Sequence, residues 1–264
     1  LTLMRDAMLT FETGAATHIG KVRSRNEDSY LARPEIGVWA VADGMGGHEA
    51  GDLASRTIVQ ALSTITPPHS ASELLGQCEQ RLAYANNRLL EIARARGGIV
   101  IGSTVAVLLA FEAHYACVWS GDSRIYLIRG GEIAQLSRDH TRVQQLVEAG
   151  AITPEEARHW PGRNIITRAI GVDAEPELEL SQGALSPGDT FVLCSDGLTE
   201  HVSDAEILEQ VGPARAQAAC DALVALTLAR GAFDNVTVVV ARCHPRGPGA
   251  APGDRGRREF WRAR

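Results

Sequence analysis

No stretch of this sequence is apolar for long enough to cross a membrane. The longest candidate, Ile99 to Phe111, is interrupted by Gly102, Ser103 and Thr104 and falls short of the roughly 20 residues a spanning helix needs. No basic segment followed by an apolar one opens the chain, so no signal peptide is expected. With Leu1 in first place, Met4 or Met8 is the expected start. Cysteine is scarce and poorly spaced for paired chemistry. The five residues (78, 117, 194, 220 and 243) are odd in number, never closer than 23 positions, and form no Cys-x-x-Cys or Cys/His zinc pattern. Reduced core thiols in a soluble cytoplasmic protein are the expectation. A basic excess is also missing: 26 Lys and Arg face 32 Asp and Glu, which argues against a nucleic-acid module. Only 11 prolines and 45% hydrophobic residues in 264 exclude a largely disordered chain.

What is present is unevenly distributed. After His244, six arginines and two acids carry +4, leaving −10 on the rest of a chain whose total is −6. That Pro/Gly/Arg-rich segment, 244–264, is expected to be a solvated tail on a single domain spanning 11–243, which no repeat or linker divides. Short apolar runs bounded by turn residues predict strands at Val38–Ala42, Thr104–Leu109, Ala116–Trp119, Arg124–Ile128, Thr190–Cys194 and Val236–Ala241. Gly121-Asp122 and Gly130-Gly131 suggest the turns of a meander. Helical spacing runs from Ala50 to Ile65 and stops before Pro67-Pro68. A second helix opens at a Ser70-x-x-Glu73 box and ends at Gly97-Gly98. Further boxes stand at Thr153–Glu156 and Ser203–Glu206, and a last helix is predicted over Ala214–Ala229. Clustered strands broken by a long helix pair imply antiparallel sheets covered by helices.

The acids stand out by context. Asp43 ends the run Val38-Trp-Ala-Val-Ala42 and precedes Gly44-Met-Gly-Gly. Asp196 ends Phe191–Ser195, Asp122 lies in Trp119-Ser-Gly-Asp-Ser-Arg124, and Asp234 precedes an apolar strand. Asp28 sits in Arg25-Asn-Glu-Asp-Ser29, before another short strand. Singly, each is a common turn or strand-end residue. Gathered at one sheet edge, they would repel one another unless cations compensate. Hard divalent ions such as Mg²⁺ and Mn²⁺ suit carboxylates, carbonyls and water. Gly44 would let such an ion approach a backbone carbonyl closely.

These residues resemble, in order and over nearly the whole chain, the metal-dependent protein serine/threonine phosphatases of the protein phosphatase 2C (PPM) family in their bacterial form. The matching blocks are Gly20–Asp28, Val41–His48, Gly102–Thr104, Gly121–Arg124, Asp139–Thr141, Arg168–Gly171, Ser195–Leu198 and Asp234–Thr237. The resemblance implies an α+β fold: a four-layer αββα sandwich, two antiparallel β-sheets flanked by helix pairs, with a dinuclear metal site at one edge. It implies two Mn²⁺ or Mg²⁺ ions and a third, weaker one. Asp43 matches the bridging ligand, Gly44 the carbonyl ligand, and Asp196 and Asp234 ligands of the second ion. Glu27 and Asp28 match acids acting through water, and Asp122 a ligand of the third ion. Arg23 matches the guanidinium that grips the substrate phosphate. The resemblance also implies possible secondary roles for His48 and Asn235, and a flap beside the site over about 140–171.

The implied activity is hydrolysis of phosphoserine and phosphothreonine in proteins by a metal-activated water, leaving the cysteines no catalytic role. Eukaryotic relatives carry a histidine directly after the Asp-Gly pair, where this chain has Met45. His48 could substitute or simply pack at a helix start, and His140 reads as a flap anchor. Expected partners are phosphorylated proteins and a cognate Ser/Thr kinase, with the protein acting as a monomer. The run Gly37–Gly51 is similar to phosphatases opposing kinases that control type VI secretion. Two other readings compete: a catalytically silent phosphoprotein-binding domain, disfavoured by the intact ligand set, and a two-metal phosphodiesterase or nuclease, disfavoured by the acidic body.

Overall fold

The interior strands are apolar along most of their length and buried on both faces, so each needs cover on both sides. A computed structural model, which describes residues 9–46, 50–157, 159–212 and 214–245, satisfies that demand with four layers. One antiparallel sheet runs β1 (Leu9–His18), β11 (Val236–Pro245), β10 (Thr190–Cys194), β7 (Arg124–Arg129) and β8 (Glu132–Gln135). The other runs β2 (Asp28–Arg33), β3 (Val38–Met45), β5 (Val105–Phe111), β6 (His114–Ser120) and β9 (Glu179–Ala184), with the short β4 (Gly102–Ser103) paired to the end of β3. Helices α1 (Ala50–Ser63) and α2 (Ala71–Ala95) cover the second sheet. Helices α6 (Asp204–Val211) and α7 (Ala216–Ala229) cover the first. The shorter α3 (Arg142–Glu148), α4 (Pro154–Ala157) and α5 (Asp196–Thr199) complete the described helices.

Strand alternation sorts the core into three slabs. Val38, Ala40 and Ala42 of β3 join Val105, Val107 and Leu109 of β5 against Ile58, Leu74, Leu82 and Leu89 of α1 and α2. The intervening Trp39, Val41, Ala106 and Leu108 face Phe191, Leu193 and Val239 of the opposite sheet. On the far side, Val192, Cys194, Val236, Val238 and Val240 meet Ile207, Val211, Cys220 and Leu223. All five cysteines are buried free thiols, and burial raises the pKa of each. The layer order is the sandwich expected from the sequence.

Several local expectations change. Gly121-Asp122 does not close a hairpin: β6 and β7 lie in different sheets, and this turn carries the chain across the sandwich. Gly130-Gly131 does close one, between Arg129 and Glu132. Helix α1 ends at Ser63 and α7 starts at Ala216, inside their predicted limits. At Ser70 only half of the box forms: the hydroxyl accepts from Glu73 N, while the Glu73 carboxylate accepts from His69 N. At Ser203 the Glu206 carboxylate does return to the Ser203 N–H, at 3.0 Å. Strands β1, β8 and β9 escaped prediction, and all three are sheet edges whose polar residues break the apolar run. Strand β11 continues to Pro245; the expected tail beyond it lies outside the described residues. No helix among those described is long and apolar enough to cross a membrane.

Leu82, fully buried between α2 and the second sheet, tests the layer assignment. Leu82→Ala is expected to cost about 2–5 kcal/mol of stability in urea unfolding. Leu180→Ala, at an edge strand and more than a third exposed, should cost well under half as much.

Candidate metal centre

Both sheets deliver carboxylates to the same end of the sandwich. Asp43 stands two residues before the end of β3 and lies directly opposite Asp28, the first residue of β2. From the other sheet, Asp196 opens α5 immediately after β10, and Asp234 stands two residues before β11. Asp122 sits on the crossover between β6 and β7. Glu27 lies at the end of the crossover from β1 to β2, which also carries Arg23.

The backbone around Asp43 is locked in place. Asp43 N donates to Thr104 Oγ1 at 3.2 Å, and Thr104 N donates to the Asp43 carbonyl at 2.8 Å. Gly44 N donates to the Glu27 carbonyl at 3.1 Å. A side chain at Gly44 has no room, since its Cβ would lie 2.0 Å from the Gly51 carbonyl oxygen and 2.7 Å from that of Glu27. Asp28, 7% exposed, is held across the sheets: Ser195 Oγ and Thr237 Oγ1 both donate to its Oδ2, at 2.8 and 2.7 Å. Sequence reasoning did not assign these two hydroxyls a role. Their only signal was adjacency to Asp196 and Asp234 in the quoted motifs.

Crowding of like charge away from water dominates the electrostatics. Burial, reinforced by Asp28, Asp196, Asp122 and Asp234, raises the Asp43 carboxyl well above the ordinary range. Burial and the charges of Asp122, Glu200, Asp234 and Asp28 do the same to Asp196. Asp28 is pushed to about 6 by burial, against the opposing pull of its two hydroxyl donors. Asp122 is pushed to about 7 by burial and by Asp139. Burial also raises Glu27, partly offset by Arg23. Arg23 reaches into this group: its Nη2 donates to Asp234 Oδ2 at 2.6 Å, and this bond, with the nearby Asp43 and Glu27, raises its own pKa.

Whether this donor set suits a divalent ion can be judged from the atoms left over. Asp28 Oδ1 and Asp196 Oδ1 are buried without a hydrogen-bond partner. Two unsatisfied carboxylate oxygens among mutually repelling acids are a destabilising arrangement that a hard cation relieves. The remaining donors are all oxygen, and the Gly44 carbonyl stands in a cradle that a Cβ would fill. The residues therefore fit a hard divalent ion. Among the described residues, no three His, Cys, Asp or Glu side chains are already drawn into one coordination shell.

The two histidines and Met45 resolve differently. His140, 5% exposed, is an anchor. Its Nδ1 accepts from Gly121 N at 3.1 Å, its Nε2 lies 3.2 Å from Glu179 Oε1, and its ring stacks on Trp119. Because Nδ1 accepts, the proton sits on Nε2, and burial lowers the pKa, keeping the ring neutral. His48 lies outside the described residues. Met45 pairs with Gly102 across β3 and β4, and its methyl group lies over that glycine, so no acid occupies this position.

With this geometry in view, known proteins provide the comparison. The protein phosphatase 2C family profile matches residues 16–222, and the chain belongs to that family. The serine/threonine protein phosphatase PstP of Mycobacterium tuberculosis is 38% identical over 240 residues, 90% of this chain and 46% of PstP; the chain thus spans about half the length of that relative. The solved structure of PppA, described as a key regulatory component of the T6SS in Pseudomonas aeruginosa, superposes with a TM-score of 0.83. It is 40% identical and covers 89% of this chain and 99% of PppA. The catalytic domain of PstP in complex with two manganese ions gives a TM-score of 0.81 at 36% identity, covering 89% of this chain and 99% of that one.

The raised Asp122 carboxyl yields a pH prediction. A folded-state pKa near 7 against an ordinary 3.8 means that the folded form holds the proton more tightly, so stability falls as pH rises through that window. In chelator, Asp122→Asn should therefore gain thermal stability over wild type between pH 5 and pH 8, with little difference at pH 4. A gap that stays constant or narrows with rising pH contradicts the assignment.

Proposed function

We propose that the chain is a Mn²⁺- or Mg²⁺-dependent protein serine/threonine phosphatase that hydrolyses phosphoserine and phosphothreonine in proteins and opposes a Ser/Thr kinase in bacterial signalling. The observation that carries this reading is the convergence of Asp28, Asp43, Asp122, Asp196 and Asp234 from both sheets, with two buried unpaired oxygens, beside a guanidinium. Asp43, the Gly44 carbonyl, Asp196 and Asp234 would hold two ions, Glu27 and Asp28 would act through water, and Asp122 would serve a third. Such ions supply Lewis acidity towards phosphoryl oxygens and lower the pKa of water.

The protein's own groups have defined tasks in this scheme. Arg23 presents a planar fork suited to two phosphate oxygens and tempers the negative charge that would otherwise repel a phosphate. The hydroxyls of Ser195 and Thr237 fix one Asp28 oxygen and leave the other, buried and without a hydrogen-bond partner, available to a cation. Neutral His140 ties the start of the 140–171 segment to the Gly121-Asp122 crossover, so substrate contacts made by that segment act close to Asp122. The similarity to PppA supports type VI secretion control as the setting, with the protein acting as a cytoplasmic monomer.

The test is hydrolysis of para-nitrophenyl phosphate and a phosphothreonine peptide with Mn²⁺, Mg²⁺ or chelator. Activity should require the metal. Asp196→Asn should lose at least on the order of 100-fold in kcat/KM, the upper end of what disrupting a ligand's support costs a metal site. Arg23→Ala should lose roughly 10- to 100-fold, as expected for one charged hydrogen-bonding partner. Folded protein that binds the phosphopeptide without cleaving it would instead identify a silent binding domain.

A further inference from the structure

The crossover from β1 to β2, residues 19–27, carries both Arg23 and Glu27, yet Arg23 is more than half exposed. A long, exposed side chain on an irregular segment is poorly placed to aim a guanidinium unless something fixes the backbone beneath it. Among the described contacts, one side chain spans the segment. Asn235, 5% exposed, donates its Nδ2 hydrogens to the carbonyls of Ile19 and Arg25, both at 2.8 Å, and accepts the Glu27 N–H on Oδ1 at 2.7 Å. Its own N–H donates to Asp234 Oδ1 at 2.8 Å. All the side-chain amide's hydrogen-bonding groups are thus engaged, and the three side-chain bonds go to the crossover, one at its beginning and two towards its end, on either side of Arg23. Backbone contact adds a second fixing point, since Lys21 N donates to the Ala232 carbonyl at 2.9 Å.

We infer that Asn235 is a positioning residue: it locks the 19–27 crossover against the start of β11 and so sets where Arg23 meets the substrate phosphate. This rests on the reading of Arg23 as the phosphate-binding group. The geometry makes an amide the suitable side chain here. Asp offers no donor to Ile19 and Arg25, and Leu or Ala offers neither donor nor acceptor. Because Asn235 follows Asp234 directly, the same turn that places a carboxylate at the metal centre also places the phosphate-binding group.

Asn235→Ala, Asn235→Asp, Arg23→Ala and the Arg23→Ala/Asn235→Ala double variant provide the test. The readouts are competitive inhibition by inorganic phosphate, Mn²⁺ affinity by calorimetry and backbone hydrogen exchange in the metal-free protein. Asn235→Ala should raise the phosphate inhibition constant roughly 10-fold and speed exchange in peptides covering 19–27, while peptides covering 236–245 keep their protection. Arg23→Ala should raise the inhibition constant without loosening 19–27, and the double variant should bind phosphate no worse than Arg23→Ala. Asn235→Asp keeps the acceptor for Glu27 but sets a buried carboxylate against the Ile19 and Arg25 carbonyl oxygens, and should raise the constant at least as much as Asn235→Ala. Independent, additive losses in the double variant, or wild-type exchange in Asn235→Ala, would falsify the inference. A raised constant in Arg23→Ala beside an unchanged one in Asn235→Ala overturns the inference alone. An unchanged constant in Arg23→Ala overturns the phosphate role of Arg23 and the inference together.

Discussion

Repulsion among carboxylates that the fold itself forces together is the constraint on which the rest of this structure depends. Two sheets stacked face to face bring the ends of β2 and β3 against the ends of β10 and β11, and four of those ends carry an aspartate. In water such a group would disperse its charge into solvent. Here burial removes that option for Asp28, Asp43 and Asp196, and neighbouring acids raise the proton affinity of these three further. The apolar slabs on either side are what hold the arrangement together. They bury enough hydrocarbon to oppose a local electrostatic penalty that no residue in the cluster relieves alone.

The groups surrounding the acids partly offset that penalty. Ser195 and Thr237 donate to a single oxygen of Asp28, Arg23 donates to Asp234, and the Asn235 amide fastens the segment that bears Arg23. Each of these contacts joins a residue of one sheet to a residue of the other, or to the crossover between them. The site is therefore also an electrostatic seam between the two sheets. Its polar contacts complement the part-buried Trp39–Thr13 hydrogen bond farther along the same interface.

How much of this was legible in the sequence depends on which face of each strand is covered. Strands β3, β5, β10 and β11 are buried on both sides, so their near-continuous apolar runs announce them. Strands β1, β8 and β9 lie at sheet edges, alternate with polar residues and have no such run. Gly121-Asp122 looks the same whether it closes a hairpin or carries the chain between sheets, because turn chemistry records the bend and not the destination. The aspartates were visible as acids at the ends of apolar runs. Asn235, Ser195 and Thr237 stood inside the motifs quoted for the resemblance, but their bonds to residues 167 to 216 positions away leave no periodic signal.

The inter-sheet slab built around Trp39, Leu108, Phe191 and Val239 is also a ruler. Asp28 and Asp43 ride on one sheet, Asp196 and Asp234 on the other, so the thickness of that apolar layer fixes the gap between the two pairs of carboxylates. A methylene gained or lost there, far from any charged atom, would change how far apart those carboxylates stand. The spacing of the charged groups is thus set partly by hydrocarbon.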